Sequence, residues 1–387
     1  MFLGSVLKGG GGLSPARHRP RTAIHCLNKA EALHFVRQRR AMFDAAEPAN
    51  PFASAAWIMH FIDQVAADDW VFTVPDCVGD GESLMLLYAD GRAPHRHLAL
   101  ANCYTSLYSP VVSSARGREA AIGALVDKLT ERQSACASVQ LAPLDGDAAD
   151  TRSLERAFAR RGWYVRRYFA FGNWHLKCQG LSFEDYMAGR DSRLHHTWLR
   201  KGRRFEAPES DARLEIVTDS HGLEAALDAY DRVYGRSWKE PEAYPRFVRS
   251  WARVCAHRGW LRLGLAWVGK IPVAAQFWFT VNGRANIFKL AYDEQYSRWS
   301  AGTVLTAHMF RHSLEVDRVA EIDFLTGDDG YKRSWVDSRR ERIGLLACNP
   351  RSLRGFGLAA AALAGDLSRP WRRLLRPGAD PGTAAQP

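Results

Sequence analysis

The residues whose types and spacing could do chemistry are concentrated between Asn286 and Trp335. An apolar run, Ile287 to Tyr292, predicts a strand, and apolar residues at helical spacing predict a helix from Val304 to about Val316. The turn that joins them ends in four small residues, Ser300, Ala301, Gly302 and Thr303. Backbone N–H groups and the helix dipole at such a helix start can hold a phosphate, and Arg298 could add a bidentate contact. Small residues also occur in ordinary strand-to-helix loops, so the pattern alone leaves both interpretations open.

The following segment supplies the acid and base candidates. A short strand, 321–325, leads into a polar loop, 326–332, and the candidate catalytic residues are Asp323, Asp328, Tyr331 and Lys332, together with Tyr292. Asp323 lies within an apolar strand, where burial would raise the pKa of its carboxyl group toward a value useful for a base. Asp328 is the alternative base, and the two tyrosines are candidate acids. Each residue also has a structural interpretation: a pair with arginine for Asp323, a solvated turn for Asp328, packing rings for the tyrosines and a surface position for Lys332.

Three more residues are candidates for contact with a substrate, namely Lys289, Trp335 and Arg200. Lys289 is a charged residue inside an apolar strand, and it must find a partner or a cleft. Arg200 belongs to a basic helical stretch, 190–204, which indicates either a phosphate-facing surface or a solvated helix face. His195 and His196 in this stretch do not predict a metal site, because adjacent helical residues point about 100° apart and no carboxylate or cysteine completes a ligand set.

Two motifs in this region resemble known families. The run Arg298-Trp299-Ser300-Ala301-Gly302-Thr303 resembles, in degenerate form, the pyrophosphate loop of GNAT-type acyltransferases, with Ala301 where that loop has glycine and Thr303 where it has glycine or alanine. The spaced run from Asp323 through Gly327, Tyr331 and Lys332 to Trp335 resembles the signature at the end of the FemAB-like acetyltransferase family, which includes the CelD-type proteins of cellulose and exopolysaccharide synthesis. Weaker similarity extends the resemblance over roughly residues 50 to 345, through the segments 50–57, 102–108 and 182–204.

This resemblance implies an acyl-CoA-dependent N-acyltransferase. Acetyl-CoA or another acyl-CoA would be held by the amides of Ser300 to Thr303 and by Arg298, and the amide of Ala291 or Tyr292 would stabilise the oxyanion. Lys332 would face the reacting groups or the acceptor, which would be an amine such as an amino sugar or an envelope-polysaccharide precursor. No covalent nucleophile and no metal are implied. Two alternatives remain: a FemAB-type transferase that uses aminoacyl-tRNA, and a non-catalytic GNAT-fold factor in polysaccharide assembly.

Composition limits the classes of protein to consider. The 387 residues include 47% hydrophobic and 11% aromatic residues, which excludes a disordered chain and suits two domains of ordinary size. The formal charge of +11 favours acidic partners. The candidates are a CoA tail, a nucleotide-linked sugar, anionic lipid or RNA. Among nucleic acids only tRNA is expected, under the aminoacyl-tRNA alternative. Seven dispersed cysteines favour free thiols in a reducing compartment, hence a cytoplasmic protein.

The order of predicted elements indicates an α+β or mixed α/β fold. The resemblance implies tandem GNAT-like domains, each with a mixed, mostly antiparallel sheet flanked by helices. We expect a flexible basic arm over residues 1–22, an N-terminal GNAT-like domain over 23–180, a C-terminal acyltransferase domain over 181–350 and a basic amphipathic tail over 351–387 with a disordered end. The tail could lie on an anionic membrane surface at the inner face or pack on its own domain. No run reaches the roughly 18 apolar residues that span a bilayer.

Overall fold

The computed structural model describes residues 21–78, 82–113, 117–131, 136–207 and 209–363. The strands are β1 (Arg21–Leu27), β2 (Val71–Val78), β3 (Ser83–Leu84), β4 (Leu87–Ala89), β5 (Arg96–Ala99), β6 (Val111–Val112), β7 (Ser138–Asp145), β8 (Tyr164–Lys177), β9 (Ala212–Val217), β10 (Leu261–Val268), β11 (Ile271–Val281), β12 (Arg284–Tyr292), β13 (Glu321–Asp323) and β14 (Ser338–Cys348). The α-helices are α1 (Lys29–Gln38), α2 (Arg40–Ala46), α3 (Ala55–Val65), α4 (Arg118–Glu131), α5 (Ala149–Arg160), α6 (Phe183–Ala188), α7 (Ser192–Glu206), α8 (Leu223–Tyr234), α9 (Phe247–His257), α10 (Ala301–Arg311), α11 (Lys332–Trp335) and α12 (Leu353–Leu363).

All of these strands belong to one mixed sheet. Its order is β6-β3-β2-β4-β5-β7-β14-β8-β13-β12-β11-β10-β9, and β1 pairs with β2 outside this path. Among the described strands the pairs are antiparallel, except β5 with β7 and β12 with β13, which are parallel. The predicted α+β class is therefore confirmed.

Each half of the chain has the same sequence of elements. Antiparallel strands come first, a helix follows, and the strand after that helix pairs in parallel: α4 lies between β5 and β7, and α10 lies between β12 and β13. This repetition agrees with the expected tandem arrangement. The last strand of each half pairs with the other half, because β14 lies between β7 and β8, and β8 lies between β14 and β13. The two sheets are thereby joined into one.

The meander β10-β11-β12 shows how local sequence specifies this part of the fold. Asn282 and Gly283 connect β11 to β12 with φ angles of 49° and 70°, the left-handed conformations that a two-residue type I′ turn requires. Val281 and Arg284 pair directly across the turn. Asn-Gly is the strongest short sequence signal for a β-hairpin, and here it forms one.

The core continues across both halves. The Trp57 ring on α3 packs edge-on against the Trp251 and Phe247 rings on α9, with centroids 4.9 and 5.6 Å apart. On another part of the sheet, Phe310 of α10 packs against Trp278 and Trp335. The α3–α9 contact thus covers apolar surface that neither half buries alone.

The predicted terminal segments lie partly outside the described residues. Arg21 and Thr22, assigned to the basic arm, are in β1, whereas residues 1–20 are not described. In the tail, α12 packs Ala359 and Ala362 against Leu346 and Cys348, and residues 364–387 are not described. The expected domain boundary near Gly180 falls in the turn between β8 and α6, and it remains a prediction.

Candidate functional site

A cleft opens in the sheet where β12 and β13 part. The two strands pair only between Arg284–Asn286 and Glu321–Asp323. β13 then ends, while β12 continues to Tyr292. β12 also carries a bulge at Phe288, since Lys289 pairs with Phe277 and Ile287 pairs with Trp278. The edge of β12 beyond the bulge is consequently left without a neighbouring strand.

Backbone amides of β12 point into this cleft. Asp293 donates its N–H to the carbonyl oxygen of Val273 on β11, at 2.9 Å. Amides alternate between the two edges of a strand, so those of Tyr292 and Leu290 face away from β11. The N–H of Ala291 faces β11, where Ala291 pairs with Ala275. Of the two predicted oxyanion donors, the geometry therefore favours Tyr292 over Ala291.

The helix at the cleft begins earlier than the periodicity predicts. α10 starts at Ala301 rather than Val304, and its α-helical part ends at Arg311, before a π-helical turn at His312–Val316. Ser300 precedes α10 in a left-handed conformation with φ 52°. Its N–H donates to the carbonyl oxygen of Ser297, so Ser300 does not offer the free amide that the sequence predicts.

The next three amides are free. Those of Ala301, Gly302 and Thr303 have no hydrogen-bond acceptor among the described residues, whereas Val304 donates to the carbonyl oxygen of Ser300. These are the unsatisfied donors of a helical first turn, and they coincide with the positive end of the helix dipole. The geometry of an anion site is thus present at Ala301–Thr303.

A group of cations surrounds this helix start. Lys201 on α7 donates from Nζ to the carbonyl oxygen of Arg298, at 2.6 Å, and the Arg204 guanidinium lies 5.6 Å from the Trp299 ring centroid. Burial, followed by Arg204 and Arg200, lowers the pKa of Lys201. The exposed side chains of Arg200 and Arg298 belong to the same group. We call Arg200, Lys201, Arg204 and Arg298 the α7 cation group; it adds positive potential beside the free amides.

Asp323 is held in a buried network. Its Oδ1 accepts from Nδ2 of Asn173 and from the amide of Leu325, both at 2.6 Å, and its Oδ2 accepts from Arg340. Burial raises the pKa of Asp323, but Arg340, Arg342 and the hydrogen bonds lower it by more, so the net shift is downward. The expected upward shift is wrong, because the ion pairs outweigh desolvation. The carboxylate connects β13 to β8 and β14.

Asp328 and Lys332 also form hydrogen bonds and ion pairs within the protein. Asp328 accepts from Nε1 of Trp174 at 2.8 Å and from Arg339, and the bond from Arg339 is the main cause of its lowered pKa. The Lys332 ammonium is buried and has three acceptors: the carbonyl oxygens of Thr326 and Gly327, at 2.8 and 3.0 Å, and the carboxylate of Asp329, at 3.1 Å. Lys332 therefore holds the loop after β13 in shape.

The aromatic candidates occupy different environments. Tyr292 is half-buried, and its ring lies 4.6 Å from the Trp238 ring, next to Gly302. Burial raises the pKa of Tyr292, so its hydroxyl is protonated at neutral pH. Tyr331 is exposed and packs edge-on against Phe324. Trp335 is buried in the core, and its carbonyl oxygen accepts from the Tyr186 hydroxyl.

Lys289 has a partner that the sequence did not reveal. Its Nζ lies 2.6 Å from Oε1 of Glu242, and the two side chains are only 17% and 14% exposed. The Tyr104 hydroxyl donates to Oε2 of the same carboxylate, at 2.6 Å. Glu242 is therefore an acidic group next to the open part of β12. No local pattern marks it, because it lies in the irregular segment between α8 and α9 and meets Lys289 only through folding.

Lys239, in the same segment, was also missed. Its ammonium has no hydrogen-bond or ion-pair partner in the part of the chain that the structure describes, and it lies 5.8 Å from the Trp238 ring centroid. Burial and then Lys289 lower the pKa of Lys239 to about 8, with Glu242 and Asp329 opposing and Lys332 contributing. Four charged residues around the cleft thus act on Lys239, namely Lys289, Glu242, Asp329 and Lys332.

The described residues do not form a metal site. No group of three or more His, Cys, Asp or Glu side chains among them could hold an ion. The helices within the described ranges are also too short or too polar to cross a membrane.

Comparison with known proteins places these features in a class. Residues 192–333 match the family model described as "Acetyltransferase (GNAT) domain". This match spans α7 to α11 and so includes the free amides, the cleft and Lys332. The matched segment lies wholly in the second half, which is therefore similar to this domain family. No curated protein matches the chain significantly.

Solved structures with the same fold cover most of the chain. FemX aligns with a TM-score of 0.55 at 10% identity, covering 84% of this chain and 96% of that one. A conserved protein of unknown function from Bacteroides thetaiotaomicron aligns at 0.52 and 12%, covering 85% and 99%. The C-terminal DUF2156 domain of an Agrobacterium fabrum protein aligns at 0.51 and 11%, covering 88% and 99%. At these identities the likeness concerns the fold alone.

Proposed function

We propose that this protein is an N-acyltransferase that transfers an acyl group from acetyl-CoA or another acyl-CoA to an amine. The observation that carries the proposal is the set of free amides at Ala301–Thr303, which lies where β12 and β13 part, inside the segment that matches the GNAT family model. A diphosphate seated on these amides would gain hydrogen bonds and the field of the helix dipole. The thioester would then extend along the open edge of β12.

The reaction that this arrangement supports is direct attack. The acceptor amine adds to the thioester carbonyl carbon, the amide of Tyr292 stabilises the oxyanion, and the C–S bond breaks to release the thiol of CoA. The amine proton passes to Glu242, the carboxylate beside the open strand, directly or through water. The hydroxyl of Tyr292 or Tyr331 protonates the leaving thiolate. Asp323 and Asp328, the bases predicted from sequence, are held by arginines, which supports a structural role for both.

The finer assignment rests on the sequence resemblance. The CelD-type signature from Asp323 to Trp335 supports an acceptor among amino sugars or envelope-polysaccharide precursors, in the cytoplasm. The division at residue 180 into two GNAT-like domains belongs to the same proposal. The matched segment lies wholly in the second half, which supports assigning the chemistry to that half.

Calorimetric titration of acetyl-CoA and CoA against the full chain tests the proposed acyl-CoA site. We expect wild type to bind both, Gly302→Glu to abolish binding by placing a carboxylate on the free amides, and Arg298→Ala to weaken it several-fold. Gly357→Glu is the matched control for the first variant, since a side chain there meets open space on exposed α12. Arg232→Ala on α8 is the control for charge loss. Absence of binding by wild type refutes the acyl-CoA proposal.

The α7 cation group favours one alternative, a transferase that takes its acyl group from aminoacyl-tRNA. Salt-sensitive filter binding of aminoacyl-tRNA, weakened by Arg200→Ala and Arg204→Ala, in a protein that does not bind CoA would establish that alternative. A non-catalytic role in polysaccharide assembly is favoured by the engagement of Asp323, Asp328 and Lys332 in internal bonds. CoA binding without turnover of any amine would support that role.

The outer face of α12 supports peripheral contact with an anionic membrane. Leu353, Phe356 and Leu363 are 93%, 63% and 73% exposed, and Arg354 lies among them. Co-sedimentation with phosphatidylglycerol vesicles, compared with phosphatidylcholine vesicles, tests this contact. We expect binding to the anionic vesicles alone and its loss in Phe356→Glu, with Phe169→Glu, an exposed aromatic on β8, as control. Equal sedimentation of wild type and Phe356→Glu would contradict it.

A further inference from the structure

The segment between α8 and α9 places an unpaired lysine over the cleft. Lys239 is one of three lysines around the cleft. The other two have carboxylate partners: Lys289 pairs with Glu242, and Lys332 pairs with Asp329. Lys239 has none among the described residues. The cluster therefore carries one more positive than negative charge, and the other two lysines act against that charge.

Lys239 is partly exposed, so water can solvate its ammonium. Removing an ammonium from water is unfavourable unless an opposite charge and hydrogen bonds replace the lost solvation. Two carboxylates act on Lys239, those of Glu242 and Asp329. They are already bound to Lys289 and Lys332, respectively. An anion that replaces this water must therefore come from outside the described chain.

The position of Lys239 relates it to the acceptor side of the cleft. Its neighbour Trp238 packs on Tyr292, the residue whose amide faces the open edge of β12. Glu242, three residues further on, binds Lys289, which lies between the bulge and Leu290. The diphosphate of acyl-CoA is accounted for by Ala301–Thr303, so Lys239 is available for another anion.

We propose that Lys239 binds a carboxylate or phosphate group of the acceptor, so that the acceptor carries both an amine and an anionic group. This inference rests on the proposed acyl transfer and adds the substrate class. Glu242 would attract the amine in its ammonium form while Lys239 holds the anionic group. A neutral amine would lose the second contact, and the enzyme would discriminate by charge as well as by shape.

Matched acceptor pairs test the proposal in turnover. Glucosamine 6-phosphate is compared with glucosamine, and glycine with glycinamide, which separates a phosphate from a carboxylate. We expect kcat/KM to be at least tenfold higher for one anionic member than for its neutral partner. Lys239→Met should remove that preference, Lys239→Arg should retain most of it, and Lys270→Met, an exposed turn lysine, should leave it unchanged. Because the pKa of Lys239 is about 8, the preference should decline between pH 7 and pH 9.

A binding measurement keeps the inference testable when no acceptor is turned over. Inorganic phosphate and acetate are titrated against CoA-free protein by following the lysine signals of reductively ¹³C-methylated samples. We expect the signal assigned to Lys239, identified by its absence in Lys239→Met, to shift with one of the anions. If CoA binding fails but this shift occurs, the anion site stands and the acyl-CoA proposal falls.

Three outcomes would overturn the inference. The first is that Lys239→Met loses turnover equally on charged and neutral acceptors and also loses the change in turnover near pH 8. That result would make Lys239 a base. The second is a matching loss of CoA affinity, which would assign it to the donor. The third is an unshifted Lys239 signal with both anions and no preference for either charged acceptor.

Discussion

Gln276 donates from Nε2 to the carbonyl oxygen of Gly302, at 3.1 Å, and so ties β11 to the first turn of α10. The same amide donates to Oγ1 of Thr306 at 2.7 Å, and its Oε1 accepts from Nε1 of Trp278 at 3.1 Å. Both ends of this buried side chain are therefore satisfied. The free amides of Ala301–Thr303 are therefore positioned in part by a side chain on β11.

Replacement of Gln276 by leucine should lower both the stability of the protein and its affinity for acetyl-CoA. Trp278 would lose its acceptor inside the core, and we expect a loss of about 1–3 kcal/mol in unfolding free energy. Acetyl-CoA affinity, measured by calorimetry on the folded fraction, should fall several-fold. Gln140→Leu, which removes a bond to Tyr168 in the first half, should cost stability with unchanged CoA affinity. Equal affinity in both variants would contradict the positioning role.

Replacement of Asp323 by asparagine should act on stability before catalysis. The change removes one of the two carboxylates that bind Arg340, since Glu321 remains 2.9 Å away, and we expect a loss of about 1–3 kcal/mol. Urea unfolding should show that loss, while kcat per folded molecule stays within a few-fold of wild type. A drop in kcat of a hundredfold with unchanged stability would instead support the base role predicted from sequence.

The pH dependence of stability gives a second test of the same network. The pKa of Asp323 is lowered in the folded state, so its contribution is fully present above the unfolded value of about 3.9 and is lost as pH falls through the folded pKa. Wild type should therefore lose its advantage over Asp323→Asn below about pH 4. Unfolding curves of both proteins between pH 7 and pH 3 would measure this. A constant difference across the range would count against the ionised pair.

Replacement of Lys332 by methionine should loosen the loop after β13. Three acceptors, the carbonyl oxygens of Thr326 and Gly327 and the carboxylate of Asp329, lose their donor. We expect a cost of roughly 1–3 kcal/mol and faster amide exchange over residues 324–331. Lys177→Met, at an exposed position on β8, is the control. Unchanged exchange with lost turnover would show that Lys332 contacts the reacting groups.

Replacement of Glu242 by glutamine should lower kcat by about a hundredfold, the scale of a lost general base. Burial raises the pKa of Glu242, and Lys289 with the hydroxyls of Tyr104 and Tyr234 lowers it by more, so the wild-type carboxylate is ionised at neutral pH. The measurement is kcat per folded molecule on an amine acceptor. Lys289→Met disrupts the same pair but keeps the carboxylate, so an equal loss in that variant would reduce Glu242 to a structural partner.

Much of the second half could be predicted from local sequence. The alternation in β10 and β11, the Asn282–Gly283 turn and the small residues before α10 each express a backbone preference over a few residues. The predicted anion site, Ser300 to Thr303, differs by one residue from the free amides of Ala301–Thr303. The start of α10 was missed because Ala301–Thr303 fit both a turn and a helical first turn.

Strands with few local signals were not predicted. β7 and β14 lie in the middle of the sheet and are covered on both faces, so much of each lacks the alternation of polar and apolar residues that marks a half-exposed strand. Their pairing, with β14 between β7 and β8, involves residues about 160 to 210 positions apart in the chain. No short-range pattern encodes such an exchange.

By itself, the sequence determined the fold class, the hairpin and the small-residue turn before α10, because these depend on neighbouring residues and on backbone geometry. Only the tertiary structure decided which charges meet. Folding pairs Asp323 with Asn173 and Arg340, and Lys289 with Glu242, and it leaves Lys239 without a partner among the described residues. The pKa of a side chain follows from burial and from charges a few ångströms away, and folding brings those charges from distant parts of the chain.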